Sequence, residues 1–254
     1  SGGVPRIGGL WGACDPGNPR NARRRCSILV ERHDAGGVTR VLVDTSPDLR
    51  FQLLDAKVGL LDAVVFTHEH ADHTHGLDDL RMVVFNRKSR LPVWADGPTS
   101  DSLTARFGYA FFTPEGSAYP PILDLNRIEG PFEIDGAGGT IPFMPFSVTH
   151  GRIASLGFRI HDVAYLPDVS DMPEHCWPVL ENLDTWILDA LRFEPHPTHI
   201  NLETALGWIA RSGARRGLLT NMHIDMDYAT VDAETPENIT PAHDGLTLRF
   251  PLTC

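Results

Sequence analysis

The chain has 254 residues and a formal net charge of −11 at neutral pH. No Gly/Ser-rich or Pro-rich linker divides it, so we expect a single domain over residues 1–254. The acidic balance disfavours an extended nucleic-acid surface. No apolar run approaches the roughly 20 residues that span a bilayer, and no basic-then-apolar leader opens the chain. We therefore expect a cytoplasmic protein without a membrane partner.

In the first half of the chain, runs of apolar residues predict strands and helical spacing of apolar residues predicts helices. The predicted strands cover residues 27–31, 38–44, 63–67 and 92–95. The predicted helices cover residues 47–58, 77–86 and 99–111.

In the second half, strands predominate and a Gly- and Pro-rich stretch over 119–145 holds short strands and turns. The predicted strands cover residues 122–128, 141–149, 155–160, 164–166, 185–188, 217–220 and 246–250. One amphipathic helix covers 201–212, with Asn201 as its N-cap. Strands with helices between them in both halves indicate an α/β fold with two sheets.

The cysteines are too widely spaced for a structural zinc knuckle. Cys14, Cys26, Cys176 and Cys254 include no CxxC pair, which is the spacing typical of such sites. Reduced, separately placed thiols agree with the expected cytoplasmic location.

Three histidines and an aspartate follow the predicted strand over 63–67 within six residues: His68, His70, Asp72 and His73. Residues two apart in an extended segment point the same way, so His68 and His70 can reach one metal ion. After a turn, Asp72 and His73 can face a second ion. Neutral imidazole and carboxylate are ligands that suit zinc and similar divalent ions.

Two metal ions need more ligands than this segment offers, and three further candidates stand at strand ends. His150 follows the strand over 141–149, Asp168 follows 164–166, and His223 follows 217–220. One sheet edge could collect all three. Asp189 also ends a strand, where it could orient a ligand histidine through its second ring nitrogen.

The order Thr-His-x-His-x-Asp-His, then His, Asp and His, resembles the metallo-β-lactamase-fold hydrolases. The resemblance implies an αββα sandwich: two mixed sheets with helices on the outer faces and the metals at one sheet edge. It implies one site formed by His68, His70 and His150, a second formed by Asp72, His73 and His223, and Asp168 bridging the two ions. The expected cofactors are two divalent ions, zinc (Zn²⁺) or manganese (Mn²⁺).

A narrower resemblance is to the PhnP-like branch, phosphodiesterases that open cyclic phosphates. It rests on Ser-Gly-Gly-Val-Pro-Arg at 1–6, Leu-Asp-Ala-Leu-Arg at 188–192, and His-Pro-Thr-His at 196–199 before Asn-Leu-Glu. In that branch the histidine matching His199 lies at the active site and is proposed to assist cleavage. Some members carry a cysteine-bound structural zinc, for which this chain lacks the cysteines.

The expected chemistry is attack on phosphorus by a water that the two ions share and whose pKa they lower. Asp72 and Asp168 are expected to be catalytic through the ions they hold. His199 could protonate the leaving oxygen or bind the phosphate. The role of His196 stays open. The basic run Arg20, Arg23, Arg24 and Arg25 is either a solvated loop or an anion-binding or partner-binding lip.

Other activities on the same scaffold remain open: a glyoxalase II-like thioesterase, a lactonase or a tRNA-processing nuclease. The acidic charge and the lack of an evident RNA-gripping insertion disfavour the nuclease, and the segment 196–199 favours phosphodiesters over thioesters. A non-hydrolytic metal-binding protein of a cofactor pathway is a further alternative, disfavoured because all seven ligands are present. The expected partner is a small-molecule phosphodiester, and a homodimer is a candidate assembly.

Overall fold

The computed structural model describes residues 3–113 and 115–251. Ser1 and Gly2 of the PhnP-like start, Pro114, and residues 252–254 with Cys254 lie outside the described residues. The strands are β1 Ile28–Asp34, β2 Gly37–Val43, β3 Ala63–Val65, β4 Leu91–Ala95, β5 Leu123–Arg127, β6 Phe132–Ile134, β7 Ile141–His150, β8 Ile153–Ile160, β9 Val163–Leu166, β10 Thr185–Asp189, β11 Arg216–Thr220 and β12 Ile239–Pro241. The helices are α1 Leu49–Ala56, α2 Ala71–Thr74, α3 Leu80–Arg87, α4 Gly97–Phe111, α5 Leu202–Ser212 and α6 Tyr228–Glu234.

The strands form two mixed sheets. The first has the order β1-β2-β3-β4-β5 and the second β12-β11-β10-β9-β8-β7-β6. In the first sheet β1 runs antiparallel to β2, and β2 to β5 are parallel. In the second, β6 to β9 alternate in direction, and β9 to β12 are parallel. Each sheet thus contributes parallel strands whose carboxyl ends carry the polar residues of interest.

Alternation along the strands builds three apolar layers. Val41 and Val43 of β2 face the core between the sheets, where they join Phe143 and Phe158 of the second sheet. Leu42, on the other face of β2, belongs to a separate core with residues of α1, α3 and α4. A third core joins the outer face of the second sheet to α5 and α6. Successive side chains of a strand point to opposite faces, and the predicted αββα sandwich is confirmed.

Capping residues account for where helix α5 begins and ends. The side chain of Asn201 accepts a hydrogen bond from the Thr204 amide, so its predicted role as the N-cap of α5 is confirmed. Gly213 ends α5 in the left-handed conformation, with φ of 69°, which glycine adopts at little steric cost. In the described ranges no helix has the length and apolar character needed to cross a membrane.

The predicted strand over 246–250 is wrong. Its alternating apolar residues remain solvent-accessible, with Leu246 and Phe250 each 37% exposed, and the edge strand is β12, paired with β11. Alternation favours a strand only where a partner and a core can use it. The sequence interpretation also missed α6 and β12. The other predicted elements are confirmed with shifts of a few residues at their ends.

Candidate metal centre

The chemistry-bearing residues meet where strands of both sheets end. The segment after β3 carries His68 and His70, β7 ends on His150, and Asp168 follows β9 by two residues. Because parallel strands deliver their carboxyl ends to the same sheet edge, residues far apart in sequence converge there.

Four of these residues form one compact group: His68, His70, His150 and Asp168 each offer a ligand atom, and these atoms lie within 4.8 Å of one another. His150 Nε2 lies 3.2 Å from His70 Nδ1 and 3.3 Å from Asp168 Oδ2. Two ligands held about 2.05 Å from a tetrahedral zinc ion are about 3.3 Å apart. The spacing of this group therefore fits a divalent cation.

His68 supports the same fit through an unsatisfied nitrogen. Its side chain is buried, and among the described residues its Nε2 has no hydrogen-bond partner. The atom lies 3.9 Å from Asp168 Oδ2, on the side of the group's other ligand atoms. A buried polar atom without a partner costs about 1–3 kcal/mol, and coordination to a metal ion would remove that cost.

A second group shares Asp168. The other carboxylate oxygen, Oδ1, lies 3.1 Å from His73 Nε2, and Asp72 Oδ2 lies 4.0 Å from the same nitrogen. Asp168 therefore faces the first group with Oδ2 and the second group, His73 and Asp72, with Oδ1, as a bridging ligand would. His223 is placed differently, because its Nε2 contacts the Arg6 guanidinium and its Nδ1 lies 2.9 Å from Asp225 Oδ2. Its role as a metal ligand stays a prediction.

Residues behind the ligands fix their ring orientations. Asp44 Oδ2 binds His73 Nδ1 at 2.7 Å, and Asp44 Oδ1 accepts from the Thr67 amide at 2.8 Å. His150 Nδ1 donates to the Thr198 carbonyl at 2.7 Å. In both histidines the other ring nitrogen, Nε2, is therefore turned toward the ligand atoms of the site. A hydrogen bond to the second ring nitrogen commonly orients metal-ligating histidines in this way. Sequence reasoning missed Asp44, although it directly follows β2 and so satisfies the same strand-end criterion.

His199 joins the edge of the site through a buried carboxylate. Its Nδ1 lies 2.8 Å from Asp189 Oδ2, and its Nε2 lies 3.8 Å from Asp168 Oδ2. Asp189 thus contacts His199 rather than one of the predicted ligand histidines. Asn221, also missed, donates to Asp168 Oδ1 at 3.1 Å and keeps that carboxylate in place.

Burial and pairing divide the histidines into two electrostatic classes. Burial lowers the pKa of His68 well below its usual range and that of His150 to about 4. Burial also opposes charge on His73, but Asp168 and Asp44 beside it raise its pKa well above the usual value. Conversely His73 holds the pKa of Asp168 well below its usual range, against the effect of burial. The first group therefore presents neutral imidazoles, the form that binds metals.

Two other histidines, His196 and His75, lie at the margin of the site. The His196 ring centroid is 5.3 Å from that of His199, and its Nδ1 accepts from the Thr198 amide at 3.3 Å. His75 packs edge-to-face on Phe107 at 5.5 Å between ring centroids.

The basic run near the start fastens the N-terminal segment to the body of the protein. Arg23 is buried and donates to the carbonyls of His223 and Met226 at 3.1 and 2.9 Å. The other arginines have partners too: Arg24 pairs with Asp55 at 2.7 Å, Arg25 with Asp48 at 2.8 Å, and Arg20 lies over the Tyr228 ring at 4.9 Å. The run thus holds the loop that carries His223, and its contacts are those of a structural element.

Asp227 completes this attachment and gives it a pH dependence. Its carboxylate accepts from the amides of Asp15 and Thr230, each at 3.0 Å, and from Asn21 Nδ2 at 2.6 Å. Burial alone would raise its pKa, but these donors lower it to about 2. Because the folded pKa lies below the ordinary ~3.9, the stabilisation is complete above that value and is lost as the pH falls through about 2.

We expect Asp227→Ala to lower the free energy of unfolding of the metal-free protein by about 2 kcal/mol at pH 6, since a helix N-cap and a buried hydrogen bond are lost. Urea titrations at several pH values should show this difference shrinking between about pH 4 and pH 2. Asp227→Asn is the matched control, because it keeps a capping oxygen without the charge. A difference that is the same at both ends of the pH range would contradict a role for the charge.

A family model described as the beta-lactamase superfamily domain matches residues 39–224. Among solved structures, a diphosphatase of the PhnP family is 34% identical with a TM-score of 0.85, and the match covers 98% of this chain and 94% of that one. Zinc-bound PqqB from Methylobacterium extorquens is 19% identical with a TM-score of 0.68, covering 90% of this chain and 88% of that one. At that identity the likeness shows the fold alone.

A curated relative, named an octanoyltransferase, comes from Porphyromonas gingivalis. It is 33% identical over 249 residues, which are 96% of this chain and 48% of the relative. The chain thus spans about half the length of that protein, and the name octanoyltransferase describes the whole of it.

Proposed function

The chain belongs to the beta-lactamase superfamily, as a PhnP-like hydrolase of the metallo-β-lactamase fold, and from this premise we propose that it is a phosphodiesterase acting on a small cyclic phosphate. The phosphate would be carried on a ribosyl group or a nucleoside. Two divalent ions, zinc or manganese, suit the imidazole and carboxylate donors. The net charge of −11 supports a small substrate over an extended nucleic acid.

The observation that carries this proposal is the position of Asp168 between two histidine groups. Its Oδ2 faces His150 at 3.3 Å and its Oδ1 faces His73 at 3.1 Å. A carboxylate that can serve two cations at once supports a dinuclear site. When bound, the two ions would lower the pKa of a water and neutralise charge on the phosphoryl oxygens.

The protein's own contribution to the reaction centres on His199. Asp189 fixes its Nδ1 at 2.8 Å, which leaves Nε2 directed toward the metal group. A proton on Nε2 can pass to the oxygen that leaves phosphorus, and the hydrogen bond between Nδ1 and Asp189 keeps the ring in the orientation for that transfer. Burial lowers the pKa of His199, so the ring gives up its proton readily once the leaving oxygen develops charge.

Hydrolysis of a diphosphate is a second candidate, because the 34% identical PhnP-family structure is named a diphosphatase. The same site would suit it, since both reactions displace an oxygen from phosphorus. The octanoyltransferase relative suggests a thioester as a third substrate class to include in a test, with this chain spanning about half of that protein.

We expect the metal-loaded protein to hydrolyse bis-p-nitrophenyl phosphate and a 2′,3′-cyclic nucleotide, and to leave an acyl thioester intact. Activity should vanish with a chelator and return with zinc or manganese. Elemental analysis should give about two ions per chain. Turnover of a dinucleoside diphosphate in place of the cyclic phosphate would favour the second candidate function, hydrolysis of a diphosphate. Turnover of the thioester alone would contradict a phosphorus substrate.

A further inference from the structure

A cleft of about 620 Å³ opens beside the metal group. Its lining residues come from the segment around α2 and from α4: His70, Ala71, His75, Arg106 and Phe107. The volume falls within the range of about 300–1,000 Å³ that is typical of small-molecule sites. His70 belongs both to the cleft and to the four-residue metal group, so a phosphate bound at the metals would place its organic substituent next to this cleft.

Two rings form one wall of the cleft. The imidazole of His75 and the ring of Phe107 meet edge-to-face, with centroids 5.5 Å apart and planes 82° apart. Helix α4 is kinked at Phe107, where φ is −126° and ψ is 32°. Phe107 is partly buried and packs against the core shared with α1 and α3, so its ring is held in position.

Arg106 supplies the polar part of the wall. Its side chain is exposed, and its Nη1 donates to the Glu69 carbonyl at 2.6 Å. That hydrogen bond ties the guanidinium to the backbone between His68 and His70. A guanidinium is planar and carries several donors, so it can stack on a ring or bind the edge of one.

We propose that this cleft binds a nucleobase and that the substrate is therefore a nucleoside cyclic phosphate rather than a base-free ribosyl phosphate. The inference rests on the proposed phosphodiesterase function and deepens it. Aromatic faces stack on bases of any sequence, and arginine adds to the stacking. A base-free sugar offers no aromatic face to these rings, and an acyl chain offers neither a hydrogen-bond acceptor nor an aromatic face to the Arg106 guanidinium.

A binding measurement tests recognition of the base without requiring turnover. The protein should bind adenosine 3′-phosphate more tightly than methyl riboside 3-phosphate, which has the same sugar and phosphate but no base. By calorimetry we expect a difference of roughly tenfold, within the range for one stacked base. Phe107→Leu keeps apolar volume against the core without an aromatic face, and it should remove most of the difference. Phe107→Tyr should retain it.

Phe85→Ala is the matched control, because Phe85 is 71% exposed and lines a separate groove with Leu60. It should leave both affinities unchanged. Kinetics should agree: Phe107→Leu should raise KM for the 2′,3′-cyclic nucleotide about tenfold without changing KM for methyl riboside 2,3-cyclic phosphate. Equal wild-type affinity for the two 3-phosphates, or equal losses on both in Phe107→Leu, would overturn the base-binding role. If no phosphodiester is turned over, the proposed function fails. The difference in affinity between the two 3-phosphates still decides whether the cleft binds a base.

Discussion

Replacing Asp168 with alanine is expected to remove both bound metal and phosphodiester hydrolysis while the fold survives. Asp168 places one oxygen 3.3 Å from His150 and the other 3.1 Å from His73, so its loss affects both histidine groups. Charge stabilisation by metal ions amounts to several kcal/mol of the barrier. The rate on a cyclic nucleotide should therefore fall by about 10³-fold or more.

Elemental analysis and circular dichroism on the same sample check this result. Asp168→Asn, which can keep a polar contact to Asn221 but loses the charge, should also lose metal. Asp171→Asn is the matched control, since that exposed aspartate follows three residues later and contacts Thr149 through its backbone. It should behave as the wild type. His68→Ala should lose chiefly the metal ion held by the first group, to which His68 belongs. Wild-type metal content in Asp168→Ala would refute the assignment of this carboxylate.

The ligand candidates could be predicted from sequence because each follows a strand. His150 and Asp168 are 18 positions apart along the chain, but β7, β8 and β9 are neighbours in one sheet. Consecutive strands that pair bring their ends together, and a strand-end rule uses only local pattern.

The supporting contacts could not be predicted in the same way, because they depend on registers that no local pattern gives. Asp44 reaches His73 across 29 positions through the pairing of β2 with β3. Arg6 contacts His223 across 217 positions, since the N-terminal segment folds back on the loop after β11. The failed strand over 246–250 shows the converse: a correct local pattern without a partner strand makes no sheet.

His199→Ala is expected to keep its metal and lose most of its rate on substrates with a poor leaving group. The side chain contacts Asp189 through Nδ1, and its Nε2 is 3.8 Å from the nearest Asp168 oxygen, so it lies next to the metal group without belonging to it. General acid catalysis contributes about 10²–10⁴-fold. Turnover of a 2′,3′-cyclic nucleotide, whose leaving group is a sugar alkoxide, should fall within that range.

The leaving group distinguishes the two roles open to His199. p-Nitrophenolate needs no proton to leave, so His199→Ala should reduce hydrolysis of bis-p-nitrophenyl phosphate by less than about tenfold if the residue is an acid. If His199 binds the phosphate instead, the rates of hydrolysis of both substrates should fall by the same factor and KM should rise. Asp189→Asn should follow the acid pattern with a smaller loss of about 10–100-fold. His175→Ala, an exposed histidine before β10, is the control. Unchanged turnover of both substrates in His199→Ala would remove His199 from the mechanism.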